Sequence, residues 1–290
     1  MSHSHVFLGD RHDENARRTR WVVALTAAMM VAEIIAGQVF NSMALLADGF
    51  HMATHAGALA VAAAAYAFAR RHAEDRRFTF GTGKVGDLAG FASALVLGVI
   101  ALGIGVESLG RLFDPRPVAF LEATVVAVAG LVVNLASALL LSGGHHHDHG
   151  HDHMHDHDNN RRAAFAHVMA DALTSVLAIV ALLAGRYLGW LWLDPAMGIV
   201  GAVVIALWAR RLIRDTAGVL LDTTDPHLEA EVREQVEAPG DVRITDLHIW
   251  RVGPGAHAAI VSVTGGADAE EIRRRLVPVH EIAHLTVEAS

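Results

Sequence analysis

Cysteine is absent from the 290-residue chain. Disulfides and thiolate metal sites are thereby excluded, and any metal must be held by His, Asp, Glu or backbone oxygen. Charge is sparse: Asp, Glu, Lys and Arg make up 19% of the residues, and little of it interrupts the apolar runs before residue 214. No basic stripe or nucleic-acid motif is present, so no nucleic-acid partner is expected. The opening MSHSHVFLGDRHDENARRTR lacks an apolar core, and no cleaved signal peptide is expected there. The one HExxH string, His280 to His284, runs into the stretch IAHLTVEA, which reads as a strand, so it lacks the helical setting of the zinc-hydrolase pattern.

What the chain does have is apolar length and histidine. The hydrophobic fraction is 53%, above the 45–50% usual for soluble domains. It is concentrated in six runs of about 20 residues, each able to cross roughly 30 Å of hydrocarbon. They fall at about 21–40, 43–69, 85–110, 118–142, 163–185 and 194–213. Turns are expected at Asn41-Ser42, at Asp114-Pro115-Arg116-Pro117 and over Gly185 to Leu193. Basic residues flank the spans unevenly. Arg17, Arg18, Arg20, Arg70, Arg71, Arg76, Arg77, Lys84, Arg161, Arg162, Arg210, Arg211 and Arg214 lie on one side, and Arg111, Arg116 and Arg186 on the other. The positive-inside rule then places both termini in the cytoplasm. The expected division is a tail over 1–20, a six-helix membrane domain over 21–213 and a cytoplasmic domain over 214–290.

That last segment reads as a small α/β unit. LEAEVREQVE has helical periodicity, VRITDLHIWRV and AHAAIVSVT alternate as strands around Gly253-Pro254-Gly255, DAEEIRRRL is a second helix and IAHLTVEA a third strand. The order αββαβ predicts a split βαβ, ferredoxin-like sandwich similar to metallochaperones. Its size is close to the lower limit for a self-sufficient core, which favours a partner subunit.

The chain contains 20 histidines. Eight lie between the fourth and fifth spans in GGHHHDHGHDHMHDHDNN: His145, His146, His147, His149, His151, His153, His155 and His157. With the interspersed Asp they suit Zn(II), Co(II) or Ni(II). The segment over 143–160 cannot build a core and is expected to be disordered without metal. Others stand inside the spans, where polar groups are costly and mark function. Asp48, His51 and His55 fall at helical angles of about 0°, 300° and 340°, so they share one face. In AFAHVMADALTS, His167 and Asp171 are again four apart. Two such pairs on different helices supply the four ligands of a tetrahedral ion. Asp48 is expected to hold an imidazole from behind or to line the access side, with direct ligation of the metal as a third reading. Glu33 is expected to bond between helices, with a role in transport as the alternative, and Glu107 and Glu122 to reach the membrane interface.

NSMALLADGFHMATHAGAL, the distant AHVMADALTSV and DLHIWRVGPG together resemble the cation diffusion facilitator family of metal transporters, in its bacterial cobalt and zinc efflux branch. The likeness covers nearly the whole chain. It implies a homodimer in the bacterial cytoplasmic membrane that exports divalent metal in exchange for protons, with no organic cofactor. Its transport site maps to His51, His55, His167 and Asp171. Regulatory metal ligands map to His248 and His284. Zinc members usually carry Asp at the second span-two position, where this chain has His55. Three imidazoles and one carboxylate favour Co(II), Zn(II) and Ni(II) over Mn(II) and Mg(II). Cobalt is therefore expected ahead of zinc, with nickel third and cadmium a further candidate. The competing readings are a membrane-bound metallohydrolase, for which only Asp48 offers a base, and a metal-sensing or storage protein built on the His-rich loop. Metal uptake into metal-free vesicles separates transport from both.

Overall fold

A computed structural model describes residues 12–142 and 156–290, and the side chains of all of these except 12–22, 55, 59, 138–142 and 156–171. Six long helices come first: α1 (His12–Val39), α2 (Met43–Arg71), α3 (Val85–Phe113), α4 (Phe120–Ser142), α5 (Asp156–Leu188) and α6 (Leu193–Leu220). They stand where six spans were predicted. Among the described residues, α2, α3, Phe120–Ser137 and α6 are long and apolar enough to cross a membrane, and Val23–Val39 and Ala172–Leu188 are shorter apolar stretches. The chain divides into two compact units, one formed by Met1–Ala56 and Leu97–Leu207, the other by Gly57–Val96 and Trp208–Ser290.

In the first unit α2 is central. Met43, Leu46 and Ala47 pack with Ala101 and Ile104 of α3 and Ala202 and Ile205 of α6. On the other flank Leu45 packs with Ala36 of α1, Ala123 and Ala127 of α4, and Leu182 of α5. Small residues let the backbones approach closely, as in membrane bundles. A β-carbon at Gly201 would fall only 2.6 Å from that of Ala47, so a side chain there would force α6 off α2. Large apolar side chains such as Leu102, Val106 and Val125 point outward and are exposed, as lipid-facing residues must be.

The start of α2 is held from a distance. Asn41 takes a left-handed conformation, φ 57°, and turns the chain from α1. Four N–H groups at a helix start lack intrahelical acceptors, and here all are satisfied. Met43 N–H donates to Asp194 Oδ2 at 2.8 Å and Ala44 N–H to Oδ1 at 3.2 Å. Leu45 N–H donates to Ser42 Oγ at 3.1 Å, and Leu46 N–H to the Ser42 carbonyl at 3.1 Å. Ser42 Oγ donates in turn to Asp194 Oδ1 at 2.6 Å. Asp194 sits in the first turn of α6 and is buried. One carboxyl group therefore belongs to the starts of two helices, where negative charge is favoured. Nearby, Glu107 meets Arg111 and Arg116, each at 3.1 Å.

In the second unit, α7 (Pro226–Glu237), β1 (Val242–Gly253), β2 (Ala256–Gly265), α8 (Ala269–Arg275) and β3 (Ile282–Ala289) realise the predicted αββαβ order. Asp225 and Asp268 cap α7 and α8. Leu228, Val232 and Val236, spaced four apart, bury one stripe of α7. The sheet order is β1-β2-β3, with β1 antiparallel to β2 and β3 parallel to β2 across α8, so the βαβ unit is not split as predicted, because no strand lies between β2 and β3. The core uses Ile249, Ala259, Val261 and Val287 on one sheet face, against α7 and α8. β1 shifts register between Ile244 and Asp246 and again between Arg251 and Gly253. At the first shift Thr245 Oγ1 donates to the Ser262 carbonyl at 3.1 Å. The loop after α2 also belongs to this unit. The Phe80 ring lies edge-on to Trp250 at 5.7 Å and to His284 at 5.6 Å, and Lys84 pairs with Asp222.

Arg275 forks onto Asp241 through two bonds of 2.8 and 2.7 Å and also donates to the Val236 carbonyl at 3.0 Å. Those hydrogen bonds hold the Asp241 carboxyl below the usual carboxylate range. A depressed folded value means stability that is present above the unfolded value of ~3.9 and lost as pH falls through the folded one. Asp241→Asn is thus expected to lower the melting temperature at pH 7, with the gap to wild type closing as pH drops below about 4. Melting curves of both proteins across that window check it.

Candidate metal centre

The face of α2 singled out by its polar residues meets α5. Asp48 is 6% exposed. Ser175 Oγ donates to its Oδ2 at 2.7 Å, and Thr174 Oγ1 to its Oδ1 at 3.3 Å. A carboxylate that accepts two hydroxyl donors inside a bundle ties the helices together laterally. Beside it is a cavity of about 30 Å³ lined by Ala44, Asp48 and His51 of α2, Thr174 of α5, and Met197 and Val204 of α6. That is space for one water or one ion. His51 is half-buried at its edge. Thr54 Oγ1 donates to the His51 carbonyl at 2.6 Å.

The contacts also fix the register of α2 on α5. Leu45 shares a buried cluster with Leu182, against which Ile179 packs, whereas Asp48 meets Thr174 and Ser175. Advancing along α2 means retreating along α5, so the two helices are antiparallel. One turn past Asp48 stands His51 and the next turn is His55. One turn before Ser175 stands Asp171 and the turn before that is His167. The backbone levels therefore match in pairs, His51 with Asp171 and His55 with His167. The side chains of His55, His167 and Asp171 lie outside those described. Among the described residues, no three His, Asp or Glu side chains converge on a point.

Glu33 departs from expectation. It was expected to bond between helices, yet both of its carboxyl oxygens are buried without a hydrogen-bond partner. The clamp of Thr174 and Ser175 on Asp48 was not foreseen. Its signal was available in ADALTS, where two hydroxyls follow Asp171 by three and four residues and so share its face.

In the second unit, His248 Nε2 stands 3.1 Å from Asp246 Oδ2, and both are exposed. His248 pairs across β1 with Ile260, and His284 pairs across β3 with Ala258. They share the sheet face opposite the core, but β2 runs between their strands, leaving them about 10 Å apart or more. His145, His146, His147, His149, His151, His153 and His155 lie outside the described residues, and His157 is in the first turn of α5 with its side chain outside them.

Residues 20–221 match the family profile described as the cation efflux transmembrane domain. The chain is 34% identical to the zinc transporter ZitB of Escherichia coli, over 99% of this chain and 91% of the relative. It is 33% identical to the metal cation efflux system protein CzcD of Cupriavidus metallidurans, over 97% and 89%. With the cadmium, cobalt and zinc/H(+)-K(+) antiporter of Bacillus subtilis the identity is 30%, over 96% and 88%. Six successive helices, polar residues on facing turns of α2 and α5, an αββαβ unit and these likenesses agree: the chain belongs to the cation diffusion facilitator family, whose members are divalent-metal efflux transporters and not enzymes.

Proposed function

We propose that this protein exports Co(II) and Zn(II) from the cytoplasm, with Ni(II) and Cd(II) as further substrates, in exchange for protons. The metal is carried at a four-residue site formed by His51, His55, His167 and Asp171. The observation that supports it most is the Asp48–Ser175 clamp, because it sets the register that levels His51 with Asp171 and His55 with His167. Asp48 itself acts on the α5 hydroxyls and positions the two ligand pairs. The names of the relatives lend support at the level of substrate class, zinc for one and cadmium, cobalt and zinc with protons for another.

The exchange follows from imidazole chemistry. Histidine has an unperturbed value near 6.5, so three imidazoles give up protons to bind a divalent ion near neutral pH and take protons to release it. Facing the cytoplasm, the neutral rings and the Asp171 carboxylate load metal. Facing out, protons displace it, and rocking of the helices alternates the two. The arrangement we favour is a homodimer in a bacterial cytoplasmic membrane with both termini inside, a membrane domain over 21–213 and a cytoplasmic domain over 214–290. In that arrangement His248 and His284 take regulatory metal, and the His-rich loop modulates apparent affinity.

Proteoliposome flux with Zn(II), Co(II), Ni(II), Mn(II) and Cd(II), recorded together with internal pH, tests the proposal. Metal movement without opposite proton movement would sink the antiport part, and no metal movement would sink the whole. His55→Asp is expected to stay active but to shift the zinc-to-cobalt ratio toward zinc by roughly tenfold, a change of only about 1.4 kcal/mol. Oxygen replaces nitrogen, and Co(II) and Ni(II) gain more from imidazole than Zn(II) does. An unchanged ratio removes His55 from the selectivity set.

A further inference from the structure

Glu33 sits in the apolar stretch Val23–Val39 of α1 and has no exposed surface. Among the described residues no donor reaches either carboxyl oxygen. Its recess is built by glycine on two other helices. A β-carbon at Gly130 of α4 would fall 1.7 Å from Glu33 Oε1, and one at Gly49 of α2 would fall 3.2 Å from Glu33 Cβ. The carboxyl head thus occupies the volume that a side chain at position 130 would need. An apolar residue would fill such a place at no electrostatic cost, so packing alone gives no reason for an acid. An ionised carboxylate without counter-charge or donor costs several kcal/mol in a dry interior, and the neutral acid is the form such a recess tolerates. The titratable groups on the packed elements are few. α4 has only Glu122, in its first turn, and α2 brings Asp48, adjacent to Gly49, and His51 one turn on.

We propose that Glu33 is a proton-carrying residue of the transport cycle. It holds a proton in the conformation described and gives it to water when the helices rearrange and metal arrives on α2. The O–H bond of the acid breaks, its electron pair stays on the carboxylate, and a proton leaves opposite to the metal. A divalent charge one turn along α2 favours that anion, and loss of the metal favours taking the proton back. The inference rests on the antiport reading above and adds one proton to those carried by the imidazoles.

The test uses the full-length protein in proteoliposomes, with Zn(II) flux and proton flux measured together. Glu33→Gln keeps the shape and cannot release a proton. It is expected to retain zinc-for-zinc exchange, to flatten the pH dependence of net flux, and to lower the proton-to-zinc ratio by one. Wild-type vesicles without proton counterflow would overturn the antiport reading and this role together. Wild-type counterflow with an unchanged ratio and pH profile in Glu33→Gln would overturn the Glu33 role alone. If Glu33→Gln does not insert, the infrared difference spectrum of the wild type on Zn(II) loading decides, with Glu33→Asp identifying the band. Loss of a carboxylic-acid carbonyl band that shifts in Glu33→Asp supports the role, and no such loss overturns it.

Discussion

Asp171→Ala is expected to reduce metal flux to background while the protein still inserts and purifies as the wild type does. Asp171 is the only anion in the proposed four-residue site, where three neutral imidazoles accompany it. Removing it strips a ligand from a four-coordinate ion and leaves the divalent charge uncompensated in a low-dielectric bundle. Losing a group that merely supports a ligand typically costs 10–100-fold in metal affinity, so loss of the ligand itself should cost at least about 100-fold. His51→Ala, His55→Ala and His167→Ala should fall in the same range, because each removes one of four equivalent bonds. Parallel flux and metal-binding titrations on the four variants check this. Wild-type transport by Asp171→Ala would remove the site.

The second large effect belongs to a residue outside the proposed site. Asp194→Ala is expected to destabilise the folded protein more than any of those ligand changes. Its carboxyl accepts from Ser42 Oγ and from the Met43 and Ala44 N–H groups. Truncation leaves those donors buried and unsatisfied, at about 1–3 kcal/mol each. Even the lower figure would shift melting in detergent by several degrees. Asp194→Asn keeps one acceptor and should fall between wild type and Asp194→Ala. Melting curves for the three proteins test the order, and an Asp194→Ala protein as stable as wild type would show that water replaces the cap.

These two residues also show what a sequence reveals of such a molecule. The helices were legible because an apolar run long enough for a bilayer has few alternatives. The αββαβ unit was legible because period-2 strands alternate with period-3.6 stripes and a Gly-Pro-Gly turn separates β1 from β2. Within the proposed site, the spacing of His51 to His55 and of His167 to Asp171 is a local signal that needs no tertiary knowledge. Asp194 gave no such signal. It reads as an ordinary acidic residue in the first turn of a helix, and its partners lie about 150 residues earlier in the chain. Glu33 was visible as a costly residue, but whether it had a donor depended on Gly130 and Gly49, which only packing brings beside it. The hydroxyls on Asp48 belong to the same class, since the lateral match of α2 to α5 is a tertiary fact.

The two register shifts in β1 bear on solubility. A three-stranded sheet of order β1-β2-β3 has two lateral borders, and an open border is a template for a strand of another molecule. β1 is bent at Thr245, whose hydroxyl is occupied by Ser262, and again before Gly253. A bulged strand offers no straight row of amides to zip against. Fibrillar or ladder-like aggregation through β1 is therefore disfavoured by its backbone alone, whatever its side chains. β3 has one shift at its start, between Ile282 and His284, and pairs without a break from His284 on, which makes residues 284–289 the segment to guard with added charge when the protein is concentrated.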